Sequence, residues 1–187
     1  MTAILELTEV RRRISPLSVA EYHRLDEFNE NGKRTELIRG IVIEKTGKSP
    51  LHATIASRLY KLLLPTVPDG YTARKEEPLA LRDSEPEPDI SVMRGSDADF
   101  MHVHPSTALL VVEAAVSSAE LDREIASVYA EAGIEEYWIV LAQERAVEVY
   151  RRPVDGLYQE KATVTGGGTL SCWSVPGLAV ALDKVFG

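Results

Sequence analysis

The segment ALLVVEAAV, residues 108–116, constrains the fold more than any other stretch of this chain. It is an almost unbroken apolar run, which is typical of a central strand that is covered on both faces. A helical pattern over residues 117–133 follows, and EEYWIVLA, residues 135–142, then forms a second apolar run. Because the second strand is entered only after a helix, we predict a right-handed parallel crossover of strand, helix and strand.

The helix of this crossover has recognisable ends. Ser117 and Glu120 have the spacing of a capping box, and Gly133 stands where glycine commonly ends a helix. The apolar stripe that we expect to face the sheet consists of Leu121, Ile125, Val128 and Ala132.

The other elements are predicted from periodicity and turn residues. They are a helix near 18–30 that begins at a Ser18–Glu21 capping box, two short strands in RTELIRGIVIEK around Gly40, a helix over 51–64, a meander of YTARKEE, LALRD and DISVMR, and a hairpin of AVEVYRR and YQEKATV across VDG. This order predicts a mixed α/β fold with a central mixed β-sheet flanked by helices. We expect residues 1–17 to form a flexible N-terminal arm and residues 18–187 to form one domain.

The charge of the chain limits how it can contact nucleic acid. The formal net charge is -8, which argues against a protein that coats nucleic acid through bulk positive charge. Any contact with phosphate therefore requires a metal ion or a confined basic patch.

The cellular setting is predicted from cysteine usage and hydropathy. Cys172 is the only cysteine, so the chain has no intramolecular disulfide and no thiolate cluster for zinc. No apolar run approaches the roughly 20 residues that span a bilayer, and the first residues lack the pattern of a signal peptide. We expect a cytoplasmic protein without membrane contact.

Two acidic residues stand where acids are unusual. Asp89 lies at the entrance of the DISVMR strand, after two Glu-Pro steps, and Glu113 lies inside the apolar run. If these strands are neighbours, the two carboxylates converge at one sheet edge and suit Mg²⁺ or Mn²⁺. Two plainer interpretations stay open: Asp89 only marks the start of a strand, and Glu113 faces outward or pairs with an arginine.

Several segments together resemble a known family. They are TELIRG, the histidine at the start of the next helix, PDISVM, LLVVEAAVSS, LDREIASVYAEAGIEEYWIV and VEVYRRP. In this order they resemble the Uma-two group of endonucleases, within the PD-(D/E)XK restriction-endonuclease-like superfamily. The resemblance implies a restriction-endonuclease-like core that hydrolyses DNA with Mg²⁺ or Mn²⁺.

The resemblance also implies the site residues. Asp89 and Glu113 would be metal ligands, Glu36 a further acid and ligand beside them, and His52 a residue of the same cleft. With these roles the four are the candidate catalytic residues. A structural role for His52 at the start of its helix is an open alternative.

The lysine of the superfamily is missing from its expected positions. Ala115 occupies the place two residues after Glu113, Ile125 occupies the matching place on the following helix, and no lysine lies between Lys75 and Lys161. Two functions therefore stay open: a metal-dependent endonuclease with a weakened chemical step, and a catalytically silent module that binds proteins or nucleic acid. Ile125 also fits plain core packing.

Two further expectations concern assembly and a histidine pair. The EYW segment and the VEVYRRP hairpin offer an apolar surface, from which we expect a homodimer with two DNA-binding clefts. His102 and His104 would lie on one face of a strand as a possible metal pair, although no third ligand is evident.

Overall fold

The computed structural model describes residues 7–26, 32–45 and 47–187. The strands in these residues are β1 (Thr35–Ile38), β2 (Ile41–Glu44), β3 (Tyr71–Lys75), β4 (Ile90–Arg94), β5 (Leu110–Ala115), β6 (Glu136–Leu141), β7 (Ala146–Val154), β8 (Leu157–Thr165), β9 (Thr169–Ser171) and β10 (Ala179–Ala181). The α-helices are α1 (Thr8–Arg11), α2 (Val19–Asp26), α3 (Pro50–Leu63), α4 (Ala119–Glu131) and α5 (Leu182–Phe186). None of these helices is long and apolar enough to cross a membrane.

The central sheet has six strands in the order β3-β4-β5-β6-β7-β8. β5 and β6 are parallel, and the other neighbouring pairs in this sheet are antiparallel. α4 connects the two parallel strands, so the predicted parallel crossover is confirmed. The predicted fold class, a mixed central sheet flanked by helices, is also confirmed.

The central position of β5 follows from its apolar sequence. Leu110 and Val112 belong to a core on one side of the sheet, where Ile55 and Leu59 of α3 pack. Val111 belongs to a second core on the other side, which includes residues of α4. A strand that is covered on both faces needs apolar side chains at odd and even positions, which is the pattern of residues 108–116.

α4 ends as predicted but begins differently. The N–H of Ile134 donates to the carbonyl of Tyr129 at 3.1 Å, and Gly133 has a φ of 72°, as in a Schellman motif. The predicted Ser117–Glu120 capping box is wrong, because the helix starts at Ala119 and Ser118 instead donates its hydroxyl to the Asp122 carboxylate at 2.7 Å. The Ser118 side chain does not cap the backbone amides at the start of α4.

The two strands predicted around Gly40 form a hairpin outside the central sheet. β1 and β2 pair antiparallel, and Arg39 and Gly40 connect them with φ values of 51° and 74°. A bridge between Leu37 and Glu85 ties the hairpin to the segment before β4. The hairpin thereby lies beside the entrance to β4.

The first predicted helix is present as α2. Ser18 and Glu21 form the predicted capping box, with the N–H of Ser18 donating to Glu21 Oε2 at 2.8 Å and the N–H of Glu21 donating to Ser18 Oγ at 3.3 Å. The predicted end of this helix falls on residues 27–31, which lie outside the described residues.

Two predicted strand segments are wrong. LALRD, residues 79–83, is a loop in which the N–H of Leu81 donates to the carbonyl of Ser84 at 2.9 Å. Its alternating pattern reflects a loop that buries Leu79 and Leu81. Residues 102–104 also lie in a loop, so the expected strand face with two imidazoles does not exist.

The aromatic residues expected on an apolar surface are in the core. Tyr137 and Trp138 of β6 are completely buried, and Tyr150 of β7 is buried against the α4 side of the sheet. The expectation of a surface formed by these side chains is therefore wrong. The homodimer that was inferred from that surface stays a prediction without this support.

Candidate active site

A pocket of about 200 Å³ opens where the β1–β2 hairpin, the start of α3 and the start of α4 meet the central sheet. Its charged lining consists of Glu36, Glu44, Lys45, Lys48, Glu87, Asp89, Glu113 and Asp122, and His52 also lines it. All four predicted site residues are in this group. The pocket therefore brings together side chains from four separate parts of the chain.

Asp89 and Glu113 are held together by the pairing of β4 with β5. Ile90 is paired with Val112, so Asp89, one residue earlier on β4, comes beside Glu113, one residue later on the antiparallel β5. The N–H of Asp89 donates to Glu113 Oε2 at 3.2 Å, and the N–H of Ala114 donates to Asp89 Oδ2 at 2.8 Å. The expectation that these two carboxylates converge at a sheet edge is confirmed.

Glu113 lies in an environment that disfavours its charge. Burial raises the pKa of its carboxyl group well above the usual value, and the nearby charges of Asp89, Asp122 and Glu36 raise it further. The hydroxyl of Tyr129, from α4, donates to Glu113 Oε1 at 3.0 Å. The apo site therefore favours a protonated Glu113, and a bound cation would favour its ionised form.

Asp89 is ionised in the same pocket because an ammonium group, an imidazole and a backbone amide contact its carboxylate. Burial alone would raise its pKa, but a hydrogen bond with His52, the Ala114 amide and the charge of Lys48 lower the pKa to about 2. His52 Nε2 and Lys48 Nζ each lie 3.0 Å from Asp89 Oδ1. Two adjacent acids thus have opposite protonation preferences.

His52 is fixed by the start of α3. Ser49 is the N-cap residue, and its hydroxyl accepts the N–H of His52 at 3.2 Å. This places the imidazole in the first turn, directed at Asp89. A structural position at the start of α3 and a place in the candidate site are therefore both true of His52.

Glu36 lies in the pocket and is paired with a lysine. Its Oε2 accepts from Lys45 Nζ and from the N–H of Glu87, both at 3.3 Å. Lys45 also donates to the carbonyl of Glu87 at 2.9 Å. Glu36 is thus beside the Asp89–Glu113 pair, as expected, with its charge partly balanced by Lys45.

Two of the α4 residues that line the pocket, Asp122 and Ile125, differ in polarity. Burial raises the pKa of Asp122 to about 6, although the hydrogen bond from Ser118 opposes the increase. Ile125, one turn later, lines the same pocket and also belongs to the core under α4. Ala115 is buried in that core as well. Both expected lysine positions are therefore occupied by apolar residues, and Ile125 lies between the pocket and this core.

Lys48 and Asp122 are pocket residues that sequence reasoning missed. Lys48 is 41 residues from Asp89 in the chain, so no local motif links them. Asp122 lies within the recognised LDREIASVY segment, but its periodicity marks the apolar stripe and not the polar residue beside it. Acids are also common in the first turn of a helix because they interact favourably with the helix dipole. The position of Asp122 therefore did not indicate a role in a site.

The donors in the pocket fit a small hard cation. Mg²⁺ commonly uses one or two protein carboxylates together with water and substrate phosphate, and Asp89 and Glu113 offer such a pair. Besides burial, the neighbouring acids Asp89, Asp122 and Glu36 raise the pKa of Glu113, so the pocket around it carries negative charge. Within residues 7–26, 32–45 and 47–187, no three His, Cys, Asp or Glu side chains are grouped so that they alone could hold a metal ion.

The sequence matches a family described as "Putative restriction endonuclease", Uma2, over residues 19–183. The chain belongs to the Uma2 family. A solved structure described as "a putative nuclease belonging to DUF820 from Anabaena variabilis ATCC 29413" superimposes with a TM-score of 0.71 at 20% identity, covering 91% of this chain and 98% of that one. No curated protein matches the sequence.

Membership of the Uma2 family confirms the resemblance seen in the sequence. The solved structure shows that the fold of this Uma2 protein is restriction-endonuclease-like. The region that matches the family contains the four predicted site residues and Lys48.

Proposed function

We propose that this Uma2 protein hydrolyses phosphodiester bonds of DNA in a PD-(D/E)XK-type site that holds Mg²⁺ or Mn²⁺ on Asp89 and Glu113. The observation that carries the proposal is that two backbone hydrogen bonds hold these carboxylates together in an open pocket. Glu113 accepts from the N–H of Asp89 at 3.2 Å, and Asp89 accepts from the N–H of Ala114 at 2.8 Å.

The residues around the pair have distinct roles. The cation, when bound, supplies a Lewis acid for the phosphate and promotes ionisation of water. Tyr129 orients Glu113, and His52 orients Asp89 through Oδ1. Glu36 is the further acid of the site and adds to its negative potential.

Two lysines at the pocket support contact with DNA despite the net charge of -8. Lys45 and Lys48 lie on the side of the pocket formed by β2 and the start of α3. Two cations at the pocket are sufficient to contact individual phosphates, and they leave the rest of the acidic surface without a role in binding.

Plasmid nicking tests the proposal. We expect supercoiled DNA to be nicked in Mn²⁺ or Mg²⁺ but not in EDTA, and Asp89→Asn and Glu113→Gln each to lose at least about 100-fold in rate. Matched controls are Asp69→Asn and Glu144→Gln, which remove exposed carboxylates elsewhere. Equal nicking by the site variants and the controls would contradict the proposal.

A second function is favoured by the apolar residues at Ala115 and Ile125. Without a lysine on β5 or α4, the protein would bind a metal and a partner without turnover. In that case calorimetry shows metal binding by the wild type, while plasmid nicking stays at the level of the EDTA control.

A further inference from the structure

The pocket contains lysines, although not from the elements where the superfamily has one. β5 and α4 present Ala115 and Ile125 at those positions. Among the described residues that line the pocket, the lysines are Lys45 and Lys48, both from the connection between β2 and α3. A positive charge therefore reaches the candidate site from the opposite wall.

The two lysines differ in what they contact. Lys45 Nζ lies among oxygens of Glu36 and Glu87, at 3.3, 2.9 and 3.5 Å. Lys48 Nζ lies 3.0 Å from Asp89 Oδ1. Asp89 Oδ2 is occupied by the Ala114 amide, so Oδ1 is the oxygen that faces the pocket. Lys48 is thus the lysine at the acid pair itself.

Glu76 contacts Lys48 and, at 2.9 Å, Lys75. Its Oε1 lies 3.2 Å from Lys48 Nζ, and its N–H donates to the carbonyl of Asp89 at 3.2 Å. The φ of Glu76 is 56°, in the left-handed region that glutamate seldom adopts. The turn after β3 therefore adopts an unfavourable conformation that places a carboxylate beside Lys48.

We propose that Lys48 contacts the scissile phosphate and takes the place of the lysine that β5 and α4 lack, with Glu76 as its positioning residue. This inference rests on the proposed function. The Lys48 ammonium group beside Asp89 Oδ1 brings a positive charge to the acid pair that would hold the cation. Its charge stabilises the additional negative charge of the phosphate in the transition state.

Rescue by a lysine from another element separates this role from simple packing. We expect Lys48→Met to lower the single-turnover rate of metal-dependent nicking by about 100- to 1,000-fold. Lys48→Met combined with Ile125→Lys should recover at least about tenfold, because position 125 lines the same pocket. Lys61→Met, at an exposed position of α3, is the matched control. A lost structural ion pair would not be restored from α4.

Calorimetry with Mn²⁺ gives a readout that does not depend on turnover. Lys48→Met should bind Mn²⁺ at least as tightly as the wild type, because it removes a cation that competes for Asp89. Metal binding that is tenfold weaker would show that Lys48 only supports the acid pair, and would overturn the inference.

The outcomes for nicking are also distinct. If the wild type nicks DNA and Lys48→Met nicks at the same rate, the role of Lys48 is wrong and the proposed function stands. If the wild type shows no metal-dependent nicking, the proposed function is wrong and the role of Lys48 in cleavage is wrong with it.

Discussion

At the scale of single residues, two adjacent carboxylates differ in their preference for a proton. His52, Lys48 and the Ala114 amide favour an ionised Asp89, whereas burial and that same Asp89 charge favour a protonated Glu113. The difference arises because the Lys48 ammonium group and the His52 imidazole contact Asp89 Oδ1, while Glu113 accepts from the Tyr129 hydroxyl and the Asp89 amide. A divalent cation between the two acids would remove this asymmetry.

Removing each acid should therefore have opposite effects on the metal-free protein. Because the pKa of Asp89 is lowered from 3.8 to about 2, Asp89→Asn should decrease the free energy of unfolding at pH 7.5 by on the order of 2 kcal/mol. Glu113→Gln should leave it unchanged or increase it, because ionised Glu113 is unfavourable. Urea denaturation in EDTA measures both. An equal loss in the two variants would contradict the electrostatic account.

Asp122 provides a prediction about pH. Its pKa rises from 3.8 to about 6 on folding, chiefly because it is buried. The folded state then binds more protons than the unfolded state between these values, so the stability that protonated Asp122 provides is lost as pH rises from about 4 through 6. Asp122→Asn does not titrate. Relative to the wild type, it should become more stable across this window by on the order of 2 kcal/mol.

The measurement is the free energy of unfolding of both proteins from pH 4 to pH 8 in EDTA. The side-chain oxygen introduced by Asp122→Asn can still accept the hydrogen bond from the Ser118 hydroxyl. A difference between the proteins that is constant over this range would contradict a raised pKa for Asp122.

At the scale of elements, the sequence predicts those strands, turns and helix ends that a local residue pattern determines. The apolar run of β5, the hairpin turn at Gly40 and the end of α4 at Gly133 each depend on residues close together in the chain, and each is confirmed. The LALRD segment was misread because a loop can bury alternate side chains as a strand does. β9, β10 and α5 were missed because three-residue strands and a five-residue helix carry too short a period to detect.

In the candidate site too, the predictable residues are those that a local pattern marks. Asp89 and Glu113 were predictable, because an acid at a strand entrance and an acid within an apolar run both break a pattern. Lys48 was not, because its contact with Asp89 depends on how the loop before α3 folds over β4. Contacts between distant segments are set by tertiary packing, which no single segment encodes.

The end of α4 allows a test of one element. Gly133 has a φ of 72°, and a Cβ added there meets nothing within 4 Å, so Gly133→Ala should be destabilising through backbone conformation alone. The expected loss is about 1 kcal/mol in the free energy of unfolding. Gly167→Ala is the control, since a Cβ there meets only Asp183 Cβ at 3.8 Å and its φ is not in the left-handed region. Equal effects at both glycines would contradict the Schellman assignment.

At the scale of the whole molecule, the affinity of an acidic protein with two lysines at its pocket should depend weakly on salt when it binds DNA. Each neutralised phosphate contributes about -0.9 to the slope of log K against log salt, so Lys45 and Lys48 predict a slope near -2. Fluorescence anisotropy with a short duplex in Ca²⁺ measures it, and Lys48→Met should reduce its magnitude by about 1. A slope of about -6 or steeper would indicate a broad basic surface instead.

The assembly of the molecule stays a prediction. The aromatic residues of β6 that first indicated a homodimer are core residues, so a dimer would have to use other surface. Light scattering at micromolar concentration tests this expectation. The mass of a single 20.6 kDa chain would contradict it.

The central claim is that Asp89 and Glu113 hold a divalent cation together, and Mn²⁺ calorimetry at pH 7.5 tests it most directly. The account predicts that the wild type binds Mn²⁺, and that Asp89→Asn and Glu113→Gln each bind it about 100-fold more weakly or not at all, since both carboxylates are ligands. Asp69→Asn, with an exposed carboxylate replaced, should bind as the wild type does. Mn²⁺ affinity that is unchanged in both site variants would contradict the account.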